Sequence, residues 1–266
     1  MLREDSESSN SEMVAAVAIK DLSMQYGGLK ALAPISLEIT EGERVAFLGP
    51  SGGGKTTLLL LLAGQLEPTC GGIRLTGKEL SQLRPGRELA HLVGMIHQQF
   101  DLVPNISALH NVLAGFLGEW GLFRSLISLV WPLDREAGIV ALSRVGVADR
   151  ADVRTNQLSG GEQQRVAIAR LLIQNPDLIL ADEPVASLDP ARAEEVLILL
   201  MSIVRESNKT LIASMHSVQL AREHFSRLIG LRDGEILFDL PSSEVSDAHL
   251  RELYKLQGLR SEHQSF

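Results

Sequence analysis

Cysteine is nearly absent from this chain of 266 residues, in which Cys70 is the single example. One thiol cannot form an internal disulfide, so a reducing compartment is the expected environment. Positive charge is also scarce, because 25 Lys and Arg stand against 33 Asp and Glu and give a formal net charge of -8. A sequence-independent nucleic-acid binder normally presents a basic surface, so we expect no nucleic-acid partner.

Long uncharged apolar runs are missing as well. The N-terminal segment is polar and acidic, so it does not resemble a signal peptide, and we expect residues 1–13 to form a disordered tail. The best candidate for a membrane span runs from Leu113 to Leu133, but it contains Glu119 and Arg124 and reaches Pro132. Because charges are costly inside a bilayer, we expect this stretch to be a soluble helical segment.

Hydrophobic residues make up 45% of the chain, which is enough for a sizeable core. Strand-like segments dominate the N-terminal part, residues from Pro104 to about Arg150 are predicted to be helical, and strands and helices alternate afterwards. This order predicts a mixed α/β core with a helical insertion. The predicted strands lie in VAIKDLSMQY, ISLEI, VAFLG, GGIRLTG, HLVGMIHQ, QNPDLILADEP, TLIASMH, RLIGLRDG and EILFDL.

A glycine-rich loop follows the apolar segment VAFLG. Its residues fit the pattern G-x-x-x-x-G-K-[ST] and are Gly49, Pro50, Ser51, Gly52, Gly53, Gly54, Lys55 and Thr56. Glycines let successive backbone N–H groups turn inwards around an anion, and the helix that follows adds about half a positive charge. In this motif Lys55 reaches the β- and γ-phosphates, Thr56 binds Mg²⁺, and Thr57 adds contacts on the α-phosphate side.

The loop is followed by five leucines, Leu58 to Leu62, which would cover every face of a helix. Such a helix is expected to be buried against a sheet. We predict that it begins at Lys55 and ends near Pro68.

Two acidic residues, Asp182 and Glu183, end the apolar segment DLILADEP. Asp182 is positioned to hold Mg²⁺ directly or through water, and Glu183 can polarise an attacking water molecule. Phosphoryl transfer needs mainly positioning and charge stabilisation, so this pair completes a plausible hydrolytic site. The alternative is an ordinary acidic loop before Pro184, which the phosphate loop earlier in the chain disfavours.

A second helix N-terminus is predicted at Ser159, before the periodic segment VAIARLLI. Ser159 and Glu162 match the capping box S-x-x-E, which a well-capped helix explains by itself. That explanation leaves out Gly160 and Gly161, which weaken a helix start but allow close backbone approach. We therefore expect a second anion-facing helix end. Because the chain already has a phosphate loop, this end would serve a nucleotide bound to a partner.

The segment LSGGEQQRVAIAR resembles the signature of ATP-binding-cassette (ABC) ATPases, and the resemblance extends from about Val17 to Tyr254. It implies an α/β fold with a P-loop NTPase (RecA-like) core, an antiparallel β subdomain and an inserted helical subdomain at about residues 100–165. The ATPase domain would span residues 14–256 and be followed by a tail at 257–266. The family's common residue at position 162 is Gln rather than Glu.

In that family two copies meet head to tail and trap two ATP molecules, each between one phosphate loop and the other copy's signature. The resemblance therefore implies that Ser159, Gly160 and Gly161 contact the γ-phosphate of ATP held by a second copy. The implied cofactors are ATP and Mg²⁺.

Four further positions match family motifs. Tyr26 stands where the family stacks an aromatic ring on adenine, and the less favoured alternative is an ordinary strand tyrosine. Gln98 matches the loop glutamine that senses Mg²⁺ and couples to the membrane partner. Asp189, within Ser187-Leu188-Asp189, matches a loop that communicates across the dimer. His216 matches the switch histidine that contacts the γ-phosphate, so the implied catalytic residues are Glu183, His216 and Gln98.

The resemblance is strongest to phosphonate-import ATPases, in IHQQFDLVPNISALHNVLAGFLGEWGLFRSLISL, ILADEPVASLDP and LRELY. It implies a peripheral subunit at the cytoplasmic face of the cell inner membrane, which energises uptake of phosphonate or a related phosphorus oxyanion. Its partners would be separate transmembrane permease subunits and, indirectly, a periplasmic or extracellular substrate-binding protein. Phosphate, phosphite or lipoprotein-release transporters and a non-transport regulatory ATPase remain alternatives. The insertion from Trp120 to Trp131 is either core or part of the permease-docking surface.

Overall fold

The computed structural model describes residues 15–84, 86–120, 124, 127, 133–186 and 188–255. The expected tails at 1–13 and 257–266 lie outside the described residues, as do Ser187 and most of the segment between Trp120 and Trp131. None of the described helices is both long enough and apolar enough to cross a membrane.

Strands and helices occur in the order that the sequence predicts. The described strands are β1 (Ala15–Tyr26), β2 (Leu29–Thr40), β3 (Arg44–Leu48), β4 (Cys70–Leu75), β5 (Lys78–Glu79), β6 (Val93–Ile96), β7 (Leu178–Asp182), β8 (Thr210–Ser214), β9 (Arg227–Arg232) and β10 (Glu235–Pro241). The described helices are α1 (Lys55–Leu62), α2 (Arg87–Leu92), α3 (Ala108–Leu113), α4 (Arg135–Arg144), α5 (Gly160–Gln174), α6 (Pro190–Glu206), α7 (Val218–His224) and α8 (Asp247–Leu253).

Two sheets are formed by these strands. The antiparallel sheet has the order β2-β1-β4-β5, and the larger sheet has the order β10-β9-β3-β8-β7-β6. In the larger sheet, neighbours from β9 to β6 pair in parallel, and β10 is an antiparallel edge strand. Strands β7 and β8 are buried at every residue, as expected where both faces of a parallel sheet are covered. The predicted mixed α/β fold with an antiparallel sheet is confirmed.

Helix α1 explains the run of leucines. Leu58, Leu59, Leu61 and Leu62 are fully buried and share one apolar core with residues from both sheets. The helix nevertheless ends at Leu62, so its predicted extension towards Pro68 is wrong. Gly64 adopts a left-handed conformation (φ 67°), and the N–H groups of the two residues after the cap bond back to Leu61 and Leu60. This arrangement is a Schellman motif, which stops a helix at a glycine.

Helix α5 links the helical part of the chain to the larger sheet. It packs with α3 and α4 in a second apolar core. At its C-terminal end, the side-chain amide of Gln174 donates to the carbonyl oxygens of Ala90 and Val93 at the start of β6. The helical elements α3 and α4 lie between β6 and β7 in the chain, where the sequence predicts an insertion.

Candidate functional site

The phosphate loop, Gly49–Thr56, connects the C-terminal end of β3 to α1. Strand β9 closes the back of the loop, because a Cβ atom at Gly49 would lie 1.9 Å from the carbonyl oxygen of Leu231. Gly54 is the N-cap of α1 with φ 101°, and it provides no side chain to bond the first N–H groups of that helix. These N–H groups and the helix dipole are consequently available to an anion.

Lys55 carries a charge in a buried position. Its Nζ donates to the carbonyl oxygens of Gly49 at 2.8 Å and Pro50 at 2.9 Å. Burial lowers the pKa of this ammonium, and the nearby charges of Glu183 and Asp182 act in the opposite direction. Within the described part of the chain, no carboxylate lies at ion-pair distance from Nζ. A buried cation held by carbonyl groups beside an uncapped helix end fits a polyphosphate, which would supply the missing counter-charge.

Asp182 and Thr56 lie together although 126 positions separate them. The Thr56 hydroxyl donates to Oδ1 of Asp182 at 3.2 Å, and the Ser214 hydroxyl donates to the same oxygen at 2.6 Å. Strand β7 pairs with β8 so that Asp182 stands opposite Ser214, and both are buried. A carboxylate and a hydroxyl in contact are oxygen donors of the kind that Mg²⁺ prefers, so the two predicted ligands fit that ion.

Glu183 and His216 form a direct pair. The distance between Oε1 of Glu183 and Nε2 of His216 is 2.5 Å. The backbone N–H of Glu183 donates to the Ser214 hydroxyl at 2.8 Å, and Glu183 has a left-handed backbone with φ 49°. Such a conformation costs about 1–3 kcal/mol for a residue other than glycine and is common where a side chain must be aimed. The arrangement brings a carboxylate and an imidazole to the carboxyl ends of β7 and β8.

Gln98 is exposed in the loop after β6, the strand that pairs with β7. Phe100 and Asp101, two and three residues further on, both have left-handed backbones, with φ 60° and 45°. Their carbonyl oxygens accept hydrogen bonds from the Arg170 guanidinium at 2.9 and 2.8 Å. Burial lowers the pKa of Arg170, and Asp101 opposes that effect. The loop that carries Gln98 is therefore held by α5, the helix that begins after Ser159.

The N-terminus of α5 is built as predicted but is exposed. Ser159 is its N-cap, and Ser159 and Glu162 form the complete capping box. Gly160 is exposed and Gly161 is half-buried. Among the described residues, no hydrogen bond or ion pair joins Ser159 or either glycine to the phosphate loop or to the acidic pair. One chain thus brings Lys55, Thr56, Asp182, Glu183 and His216 together and leaves the second helix end apart.

Comparison with known proteins identifies the family. The sequence profile described as ABC transporter matches residues 32–186. The chain is 48% identical to the phosphonates import ATP-binding protein PhnC 1 of Pseudomonas aeruginosa over 240 residues, which are 90% of each chain. It is 42% identical to the PhnC protein of Pseudomonas putida over 242 residues, again 90% of each. The chain belongs to the ABC transporter family.

Solved ABC cassettes share this fold. The cassette MJ0796, solved as a dimer in a post-hydrolysis state with ADP and Pi, has a TM-score of 0.73 and 32% identity and covers 85% of this chain and 98% of its own. The cbiO1 protein of Clostridium perfringens, part of an ABC transporter complex, has a TM-score of 0.73 and 27% identity and covers 87% and 90%. The predicted ABC cassette fold is confirmed.

Other positions suggested by the resemblance to ABC proteins lie at the surface. Tyr26 ends β1 with 45% of its surface exposed. Asp189 is the N-cap of α6, where its side chain accepts from the backbone N–H of Arg192. Thr57, in the first turn of α1, is partly exposed. The roles of these residues, as of the other site residues, stay predictions.

Three residues of the cassette escaped the sequence analysis. Ser214 joins Asp182 to Glu183, and the available signal was a hydroxyl at the end of the apolar segment TLIAS. Arg170 holds the loop after Gln98, and no local pattern indicates that contact. Leu231 closes the phosphate loop through its backbone carbonyl, which side-chain chemistry cannot reveal.

Proposed function

We propose that this chain is the ATP-hydrolysing subunit of an ABC importer for phosphonates, working as a pair of copies with separate permease subunits. The observation that carries the proposal is the set of contacts around Asp182, because it links the phosphate loop through Thr56 to the end of β7, directly before Glu183. The relatives that align over nearly the whole chain are named phosphonates import ATP-binding proteins, and these names support phosphonate as the transported compound.

ATP would bind with its phosphates over the N-terminus of α1. The backbone N–H groups of the loop from Ser51 to Gly54 would surround the β-phosphate, and Thr56 and Thr57 would extend the contacts along the chain of phosphates. Lys55 would exchange its present carbonyl partners for β- and γ-phosphate oxygens, which would also restore a counter-charge to a buried ammonium. Tyr26 would stack on the adenine ring.

Mg²⁺ would be held by Thr56, Asp182 and Gln98. Bound there, it would neutralise charge on the β- and γ-phosphate oxygens. Ser214 keeps Asp182 oriented through its 2.6 Å hydrogen bond, so the carboxylate is fixed before any ion arrives.

Hydrolysis would depend on Glu183 and His216. Glu183 would orient a water molecule in line with the γ-phosphate and accept its proton as the oxygen attacks. In this structure that carboxylate contacts His216, so the pair would separate when His216 turns towards the γ-phosphate. His216 would contact either Glu183 or the γ-phosphate. Its contact with Glu183 would keep the rate of ATP hydrolysis low until the site is complete.

A second copy would complete the site. Ser159, Gly160 and Gly161 lie at the N-terminus of α5, which no described contact joins to the phosphate loop of the same chain, and MJ0796 has been solved as a dimer with ADP and Pi. Head-to-tail pairing would bring these residues to the γ-phosphate held by the other copy, and Asp189 would cross the interface beside them. Closure and opening of the pair would move permease subunits as rigid bodies, at the cytoplasmic face of the membrane.

The decisive experiment is ATP hydrolysis by the complex reconstituted with its permease and binding protein. We expect methylphosphonate or aminoethylphosphonate to raise turnover well above the rate without cargo, and phosphate and phosphite to have little effect. No stimulation by any phosphonate would contradict the cargo. Stimulation by phosphate or phosphite alone would assign that ion as the cargo. Loss of turnover in Lys55→Ala would still support ATP hydrolysis by this chain, whichever cargo is found.

A further inference from the structure

The Glu162 carboxylate divides its two oxygens between the helix end and a cation. Oε2 accepts from the backbone N–H of Ser159 and from the Ser159 hydroxyl, both at 2.8 Å. Oε1 accepts from Nε of Arg150 at 2.9 Å. The bonds from Ser159 and the Arg150 charge together lower the pKa of Glu162, so this group is an anion at neutral pH.

Helix capping does not require the Arg150 contact. Helix α8 has the same kind of capping box, in which Ser246 accepts from His249 N–H and His249 accepts from Ser246 N–H. No cation completes that cap in the described contacts. Arg150 instead comes from a 3₁₀ turn at Ala148–Arg150, its side chain is 47% exposed, and it contributes nothing to the apolar core. The adjacent Asp149 lies 3.5 Å from the same nitrogen.

The Ser159 hydroxyl has one proton, so it can donate to one acceptor at a time. In this structure the proton points to Glu162 and not outwards. A triphosphate that approaches this helix end must take over that proton, and it also meets a carboxylate of its own sign. Both effects oppose binding of an anion, and both weaken when a cation is held against the carboxylate.

We propose that Arg150 is a positioning residue for the signature: it offsets the charge of Glu162 and frees the Ser159 hydroxyl for the γ-phosphate of ATP on a second copy. The inference rests on the proposed pairing around ATP. The family's common residue Gln at position 162 carries no charge, so a requirement for Arg150 belongs to chains such as this one, which have Glu162.

The test measures the MgATP concentration that gives half-maximal ATPase rate and half-maximal dimer formation. Arg150→Gln should raise both by about threefold to fivefold, which is the size of an exposed charge interaction. The defect should shrink at high salt because the repulsion is screened. Arg150→Lys keeps the charge and should retain most of the wild-type affinity. In a Glu162→Gln background, Arg150→Gln should have no further effect.

Arg135→Gln is the matched control. It removes another exposed arginine of the helical part, one that binds Asp152 through both terminal nitrogens and does not touch Glu162. We expect the ATP requirement to stay unchanged. Unfolding midpoints of all variants separate a folding defect from a binding defect.

Two results would overturn the inference. One is an unchanged ATP requirement in Arg150→Gln, measured in a chain whose wild-type form hydrolyses ATP. The other is an equal loss in the Glu162→Gln background, which would make Arg150 a general structural residue. If the wild-type chain neither hydrolyses ATP nor pairs in its presence, the proposed function fails and the inference fails with it.

Discussion

Two helix N-termini in this chain are proposed to bind phosphate, and they differ in what surrounds them. At α1 one chain supplies all the groups: the buried ammonium of Lys55 contacts the loop backbone, and Thr56 contacts Asp182 at the end of β7. At α5 Gly160 is exposed and Gly161 is half-buried, and the capping box of Ser159 and Glu162 is joined by Arg150. In the proposed function, a single copy carries most of one ATP site at the first helix end and contributes the second helix end to the site of the other copy.

Removing the positive charge of Lys55 from the first site should have the largest effect on ATP turnover. Lys55→Ala deletes the buried ammonium beside the proposed phosphates, and we expect ATP turnover to fall by at least about a hundredfold. A steady-state ATPase assay measures the loss. Lys209→Ala is the control, since Lys209 binds Asp177 outside the site, and it should keep wild-type turnover. An active Lys55→Ala chain would contradict the function proposed for the phosphate loop.

Glu183→Gln separates binding from hydrolysis at the same helix end. The amide keeps the size of the side chain but cannot accept a proton, so turnover should fall by about 10²–10⁴-fold while ATP affinity persists. Fluorescent-nucleotide binding and ATPase rates measure the two quantities. Glu206→Gln, which breaks an exposed ion pair with Arg144, should change neither. Normal turnover in Glu183→Gln would assign the base to another residue.

Ser159→Ala tests the second helix end, with a smaller expected effect. The change removes the cap hydroxyl and one proposed γ-phosphate contact, so the ATP concentration for half-maximal turnover should rise roughly tenfold, the equivalent of ~1.4 kcal/mol. Ser246→Ala removes the corresponding cap from α8 and should lower stability by a similar ~1 kcal/mol without that rise. Equal kinetic effects of the two variants would mean that Ser159 only caps its helix and makes no contact with the γ-phosphate.

Tyr26→Ala should have the smallest effect. Loss of a stacking ring costs about 1–3 kcal/mol per base, and Tyr26 is 45% exposed, so we expect the lower end of that range and a rise in the KM for ATP of about fivefold with little change in kcat. Tyr26→Phe keeps the ring and should behave as the wild type. If Tyr26→Ala leaves the KM unchanged, this exposed side chain is an ordinary strand residue.

The contacts of the first helix end follow from sequence more readily than those of the second. Lys55, Asp182 and His216 each follow an apolar run, and the carboxyl ends of neighbouring parallel strands meet at one edge of a sheet. Their convergence is therefore predictable once the strands are recognised. The role of Ser214 needed the β7–β8 register as well, which local patterns do not fix.

At the second helix end the sequence predicts the cap and leaves the rest open. The spacing of Ser159 and Glu162 is a local signal, and the capping box is present. The partner of Glu162, Arg150, lies 12 positions away in a turn, and its contact depends on tertiary packing. The left-handed backbones at Phe100 and Asp101 are likewise held by hydrogen bonds from Arg170, which lies on α5. The residue types at these two positions do not predict that conformation.

The most direct test of the difference between the two helix ends is the mass of Glu183→Gln in MgATP, measured by light scattering, with and without Ser159→Phe. Both proteins should bind fluorescent ATP with equal affinity as single chains, and only Glu183→Gln should shift to the mass of two chains. The account is contradicted if the double variant pairs as readily as Glu183→Gln, or if the single chain needs Ser159 to bind nucleotide.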